Sequence, residues 1–171
     1  MNSKESLSNE SFFKSLQDSN SVSQALGLSD NDVEQIAGLA AAFYQEERLD
    51  SAFKLLEGLT CLRPERSEFW SALGAVLTRM ERHEEALPIL TAAIRMDPRD
   101  AAALVNRAEC YIALTDNERA AEDLEAAIKL DPKEENPAAN RARQMAHGFA
   151  QFFEQCHEAG LDTIEVEDEE E

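Results

Sequence analysis

Residues 67–98, SEFWSALGAVLTRMERHEEALPILTAAIRMDP, and residues 101–132, AAALVNRAECYIALTDNERAAEDLEAAIKLDP, align position for position without a gap. Residues 33–64, VEQIAGLAAAFYQEERLDSAFKLLEGLTCLRP, fall on the same frame. Pro64, Pro98 and Pro132 close the three units at intervals of 34 residues. Reading down the columns, position 4 holds Ile36, Trp70 and Leu104, and position 8 holds the small residues Ala40, Gly74 and Ala108. Position 11 holds Phe43, Leu77 and Tyr111; position 20 is Ala52, Ala86 and Ala120. Position 24 is Leu56, Leu90 and Leu124, and position 27 is Leu59, Ala93 and Ala127. Each unit therefore carries two apolar faces at helical spacing, and a fixed period of this length marks a repeat array.

Large, small and large residues on a first helix, small and large on a second, then Pro: the columns resemble the tetratricopeptide repeat. The resemblance implies an all-α solenoid of three helix-turn-helix repeats, 33–64, 67–98 and 101–132. One such hairpin cannot bury its apolar face alone and needs neighbours and end caps. Asn136 is placed to cap a helix starting at Pro137, whose stripe of Met145, Phe149, Phe152, Phe153 and Cys156 is read as the seal on the last unit, with Gly160 as terminator. The domain reading is a flexible 1–10, an N-terminal helical region 11–32, repeats over 33–134, a capping helix 135–160 and an acidic, disordered tail 161–171. Phe12, Phe13 and Leu16 form a short apolar face that reads equally as a cap on the first repeat or as a homodimer contact. At position 7, Leu39 and Leu73 give way to Arg107, expected to be either solvated or paired with an acid. Pro88, in the first turns of a second helix, is expected to cost little.

The 171 residues carry 16 Lys and Arg against 35 Asp and Glu, a net charge of −19. Seven of the acids stand in the last ten residues. Such a charge repels phosphate backbones and anionic lipid surfaces, so neither nucleic acid nor a stable membrane association is expected. No apolar run approaches a membrane span and the N-terminus lacks a secretory signal, which reads as cytoplasmic.

No catalytic constellation is present. His83, His147 and His157 are scattered, and no metal-protease, nucleophile-elbow or phosphate-loop motif occurs. The adjacent Cys156 and His157 point about 100° apart on a helix. Cys61 and Cys110 read as small buried hydrophobes. The expectation is a protein without enzymatic activity, cofactor or metal.

In arrays of this repeat the first helix of each unit lines the concave surface through positions 2, 5, 9 and 12. Here these are Glu34, Ala37, Ala41 and Tyr44; Glu68, Ser71, Ala75 and Thr78; Ala102, Val105, Glu109 and Ile112. None is basic, so the cationic clamp by which some such arrays hold a C-terminal carboxylate is missing from these positions. A floor of Ala, Ser and Val suits an extended peptide with apolar side chains, bound by burial at about 25 cal/mol per Å². The alternative for each residue is packing between neighbouring helices.

The stretches VEQIAGLAAAFYQEERLDSAFKLLEGLTCLRPERSEFWSALGAV and VNRAECYIAL resemble the class II chaperones of bacterial type III secretion, which escort translocator proteins. The likeness covers about residues 20–150 and is carried by Ile36, Leu39, Ala40, Tyr44 and Gln45, by Phe69-Trp70 to Leu73-Gly74-Ala75, and by Ala108-Glu109-Cys110. It implies a cytoplasmic chaperone whose groove holds a proline- and leucine-containing segment near the N-terminus of a hydrophobic translocator. By that resemblance Tyr44, Leu49 and Leu62 fall at groove positions, and Phe12, Phe13 and Leu16 on a dimerising N-terminal region. Ala37 and Ala41 depart from the family, where aromatics are common, which implies wider or shallower pockets. A generic scaffold built of the same repeats is the alternative.

Overall fold

A computed structural model describes residues 26–158, apart from the side chains at 153, 154 and 156–158. Phe12, Phe13, Leu16, Gly160 and the acidic tail lie outside the described residues. Among the described residues seven helices follow in order: α1 (Asp30–Gln45), α2 (Leu49–Leu62), α3 (Ser67–Arg79), α4 (His83–Met96), α5 (Ala101–Ala113), α6 (Asn117–Lys129) and α7 (Pro137–Glu158). No strand occurs among the described residues. The fold is an all-α solenoid of tetratricopeptide repeats, with each unit contributing one hairpin.

Local chemistry sets the helix ends. α3 and α5 begin on the repeat frame, but α1 starts at Asp30, almost a turn before it. The cause is a capping box. Ser29 Oγ accepts from the Asp32 amide at 3.2 Å, and the Asp32 carboxylate accepts from the Ser29 amide at 2.9 Å. Asp100 and Asp116 cap α5 and α6 by accepting from the Ala103 and Arg119 amides. The Asn136 carboxamide oxygen accepts from the Ala138 amide at 2.8 Å at the start of α7. Inside every hairpin one residue takes a left-handed conformation: Glu47 (φ 58°), Glu81 (φ 59°) and Thr115 (φ 62°), again 34 apart. It turns the next amide back onto the first helix, where Arg48, Arg82 and Asp116 donate to the carbonyls of Phe43, Leu77 and Tyr111 at 2.8–3.0 Å.

The repeated columns form the core. Ala40, Ala108, Ala52, Ala86, Ala120, Leu59, Ala93 and Ala127 are 0 % exposed, and Leu56, Leu90 and Leu124 are buried beside them. Each of these leucines contributes about 1.5–3 kcal/mol by leaving water. Gly74 has to be small, because a Cβ there would come within 2.5 Å of Leu90 Cγ. Pro88 sits in the second turn of α4 on an exposed face, where its missing amide forfeits one bond to the Glu84 carbonyl. Arg107 is paired: its guanidinium donates to both Asp123 carboxylate oxygens, at 2.8 and 2.7 Å, and to Thr91 Oγ1 at 3.2 Å.

Successive helices pack in chain order, and first helices also pack on each other, α3 on α5 and α5 on α7. α7 thus takes the place of the first helix of a fourth unit. Ala142, 34 residues beyond Ala108, is 0 % exposed against the α5–α6 core. At 22 residues, α7 is longer than α5 by nine, so its end overhangs the hairpin beneath it. This corrects one expectation: Met145 and Phe149 pack on the last unit, but Phe152 is 60 % exposed and lies at the edge of that seal. Cys110 is buried as read from the sequence, whereas Cys61 is exposed on α2.

Candidate functional site

α1 and α3 do not close on each other as α3 and α5 do, and a hollow of about 340 Å³ opens between them. α1 supplies Glu34, Ala37, Ala40, Ala41 and Tyr44, and α2 supplies Leu56. α3 supplies Glu68, Phe69, Ala72, Ala75 and Val76, with Arg66 just ahead of it. Side-chain size accounts for the gap. Phe69 and Tyr44 stand at its two ends and alanines line the middle. At the next junction the matching residues are Ala103 and Thr78, and there the helices meet.

An arginine frames each end. The Arg66 guanidinium lies 4.6 Å over the Phe69 ring, donates through Nε to Glu68 at 2.6 Å and is hydrogen-bonded to Glu34 on α1. Arg79 lies 5.7 Å from the Tyr44 ring centroid and is paired with Glu47. The hydrogen bonds it donates to Glu34, then to Glu68, keep Arg66 firmly protonated. Partial burial pushes the Glu68 carboxyl up. The hydrogen bond from its own amide and the Arg66 guanidinium outweigh that and leave it below the usual carboxylate range. Arg66 was absent from the groove columns because it precedes the first helical position of its unit.

The fourteen groove candidates separate into groups. Glu34, Ala37, Ala41, Tyr44, Glu68 and Ala75 meet around the hollow. Ser71 and Thr78 on α3 and Val105 on α5 are buried, at 8 %, 7 % and 0 % exposure, Val105 within the α5–α6–α7 core. Thr78 Oγ1 donates to the Gly74 carbonyl at 2.9 Å and lies 3.3 Å from Cys110 Sγ. Burial pushes the Cys110 thiol up, which makes it a packing group and not a nucleophile. Glu109 is paired with Arg141 of α7. Ile112 joins Met145, Gly148, Phe149 and Phe152 around a second, shallower hollow of about 320 Å³. Ala102 is exposed, and Leu49 and Leu62 are half-buried at the two ends of α2. Phe69, Ala72 and Val76 were missed: they line the hollow from the core side of α3, Phe69 and Val76 at only 3 % and 1 % exposure, where fixed columns place packing residues. Among the described residues, no group of His, Cys, Asp and Glu side chains could hold a metal ion, and no helix is long and apolar enough to cross a membrane.

Residues 71–135 match the family model described as Tetratricopeptide repeat. Over 87 residues the chain is 33% identical to the peroxisomal targeting signal receptor of Eremothecium gossypii, an alignment spanning 51% of this chain but only 15% of that receptor's length. The structure is similar to PcrH of Pseudomonas aeruginosa in complex with the chaperone binding region of PopB, at 27% identity and a TM-score of 0.65, covering 70% of this chain and 98% of that one. It also shares the fold of the Yersinia enterocolitica type III secretion translocator chaperone SycD, at 22% identity and a TM-score of 0.67, covering 76% and 98% of the two chains. SycD has also been crystallised as an alternative dimer.

Hairpins repeating every 34 residues around one continuous core, with a hollow between their first helices, define a tetratricopeptide-repeat protein. Within that class the structure is similar to the translocator chaperones of type III secretion, PcrH at 26–27% identity and SycD in fold.

Proposed function

We propose that this protein is a cytoplasmic type III secretion chaperone. It binds hydrophobic translocator proteins through its first-helix groove and keeps them soluble and apart before export. The observation that carries the reading is the hollow between α1 and α3, walled by Ala37, Ala41, Tyr44, Phe69, Ala72 and Ala75. A relative of the same fold, PcrH, is seen with the chaperone binding regions of PopB and PopD. A translocator destined for a membrane carries long apolar segments that aggregate in water. A partner of charge −19 that buries one extended segment keeps the complex soluble through repulsion between complexes. The segment bound is a proline- and leucine-containing stretch near the translocator N-terminus. Binding rests chiefly on apolar burial and calls on no cofactor.

Co-expression with a candidate translocator tests this. The chaperone converts the translocator from aggregate to soluble complex, and Tyr44→Ala weakens that complex while leaving helicity intact. A translocator that stays insoluble beside the folded protein refutes the reading and leaves a generic repeat scaffold. We assign Phe12, Phe13 and Leu16 to a homodimer contact, a reading supported by the dimeric form of SycD.

A further inference from the structure

The charges around the hollow are not balanced along its length. At the Tyr44 end Arg79 answers one carboxylate, Glu47. At the Phe69 end Arg66 answers two, Glu34 and Glu68, whose side chains remain 56 % and 54 % exposed. That end therefore carries one uncompensated negative charge, within a chain whose net charge is −19. Between the two ends the walls are mostly alanine, with Leu56 and Val76 beneath and one aromatic at each extremity. The volume of about 340 Å³ is more than twice that of the ~150 Å³ apolar cavity known to take up benzene.

We infer that the hollow selects a client segment bearing one bulky apolar side chain, of the Leu, Met or Phe class, with a Lys or Arg beside it at the Glu34–Glu68 end. The apolar anchor fills the space between Ala37, Ala41 and Ala75. The neighbouring cation takes up the free carboxylate lone pairs that Arg66 leaves unused, since one guanidinium cannot saturate two carboxylates. An acidic residue at the same place meets Glu34 and Glu68 and is rejected, so specificity comes from repulsion as much as from attraction. The inference rests on the chaperone reading and assigns the chemistry of the ligand at that site.

The test is a selection of random displayed peptides on the full chain, followed by fluorescence anisotropy of one enriched peptide and its variants. The expected outcome is enrichment of a bulky apolar residue with a basic residue within three positions. Replacing the bulky residue with Ala weakens binding roughly 30-fold or more, in line with a side chain losing its burial. Exchanging the basic residue for Glu weakens it roughly tenfold at low salt and much less at high salt. The decisive variant is Glu34→Gln with Glu68→Gln. It leaves Arg66 unpaired, so the preference reverses and the Glu-bearing peptide binds at least as well as the Lys-bearing one. Helical circular dichroism and an unchanged unfolding midpoint confirm that the variant folds. Enrichment without a basic neighbour, no enrichment at all, or a Lys-over-Glu preference that survives the double variant overturns the inference. The chaperone reading fails separately, if a co-expressed translocator remains aggregated.

Discussion

Arg107 and Asp123 occupy positions that the other two units fill with apolar pairs, Leu39 with Leu55 and Leu73 with Ile89. The third unit thus replaces apolar residues, Leu39 47 % exposed and Leu73 buried, with an ion pair whose side chains are only 18 % and 8 % exposed. Arg107→Leu leaves the Asp123 carboxylate buried with no cation, at a cost of about 3–5 kcal/mol. For a chain of this size that lowers the thermal midpoint by about 6–20 °C. Asp123→Leu is milder, about 1–3 kcal/mol, because the long Arg107 stem can carry its charge outward to water. The double variant Arg107→Leu/Asp123→Leu restores the pattern of the other units. Since a well-packed apolar pair equals or betters a buried ion pair, it unfolds within about 1 kcal/mol of the parent or up to ~4 kcal/mol above it. Urea unfolding followed by far-UV circular dichroism on the four proteins gives the coupling energy. A double variant as unstable as Arg107→Leu would refute the claim that these positions are interchangeable between units.

Further outcomes follow from the same structure. Gly74→Ala gains up to about 1 kcal/mol of helix propensity but drives its methyl into Leu90, so calorimetry shows a net loss of about 1–2 kcal/mol. Thr115→Gly relieves a β-branched residue of its left-handed conformation and raises stability by about 1 kcal/mol in the same assay. Ala41→Phe fills the hollow from an exposed position on α1, and client binding falls while the unfolding midpoint stays within a few degrees. On acidification, the Asp32 carboxyl is held low by the Ser29 hydroxyl and amide, and Asp131 by the Asn136 amide against partial burial, with the Glu135 amide and Arg143 adding to it. Groups depressed on folding stabilise fully above the unfolded carboxylate range near pH ~4, and that stabilisation is lost as pH falls through the lower folded values. Thermal midpoints measured across the acid range therefore drop below pH ~4, and a flat profile there contradicts the assignment.

The period and the core were legible because the chain states them three times: Ala52, Ala86 and Ala120 each read alone as nothing, and together fix the helix crossings. The capping box that lengthens α1 is written in Ser29 and Asp32, four and one residues ahead of Val33, and so lies outside the repeated columns. The hairpin turns were not legible. A left-handed residue is normally signalled by Gly, and Glu47, Glu81 and Thr115 give no such signal. For the groove, the columns identified which helix faces a ligand would meet. They did not say which junction is open, because that depends on pairs such as Tyr44 with Phe69 against Thr78 with Ala103, residues on different units. Phe152 continued an apolar stripe in sequence, yet α7 outruns the hairpin it covers and carries that ring past the core.

The central claim is that a client segment occupies the space between α1 and α3. Cysteine protection measures this directly. Ala41→Cys places a thiol in the hollow, and Met96→Cys places one at the exposed end of α4. Each is labelled with a maleimide, alone and with saturating co-purified translocator, and the modified sites are read by peptide mass spectrometry. The account predicts that the translocator slows labelling at position 41 roughly tenfold or more while position 96 reacts at an unchanged rate. Equal labelling at position 41 with and without the bound translocator would contradict it.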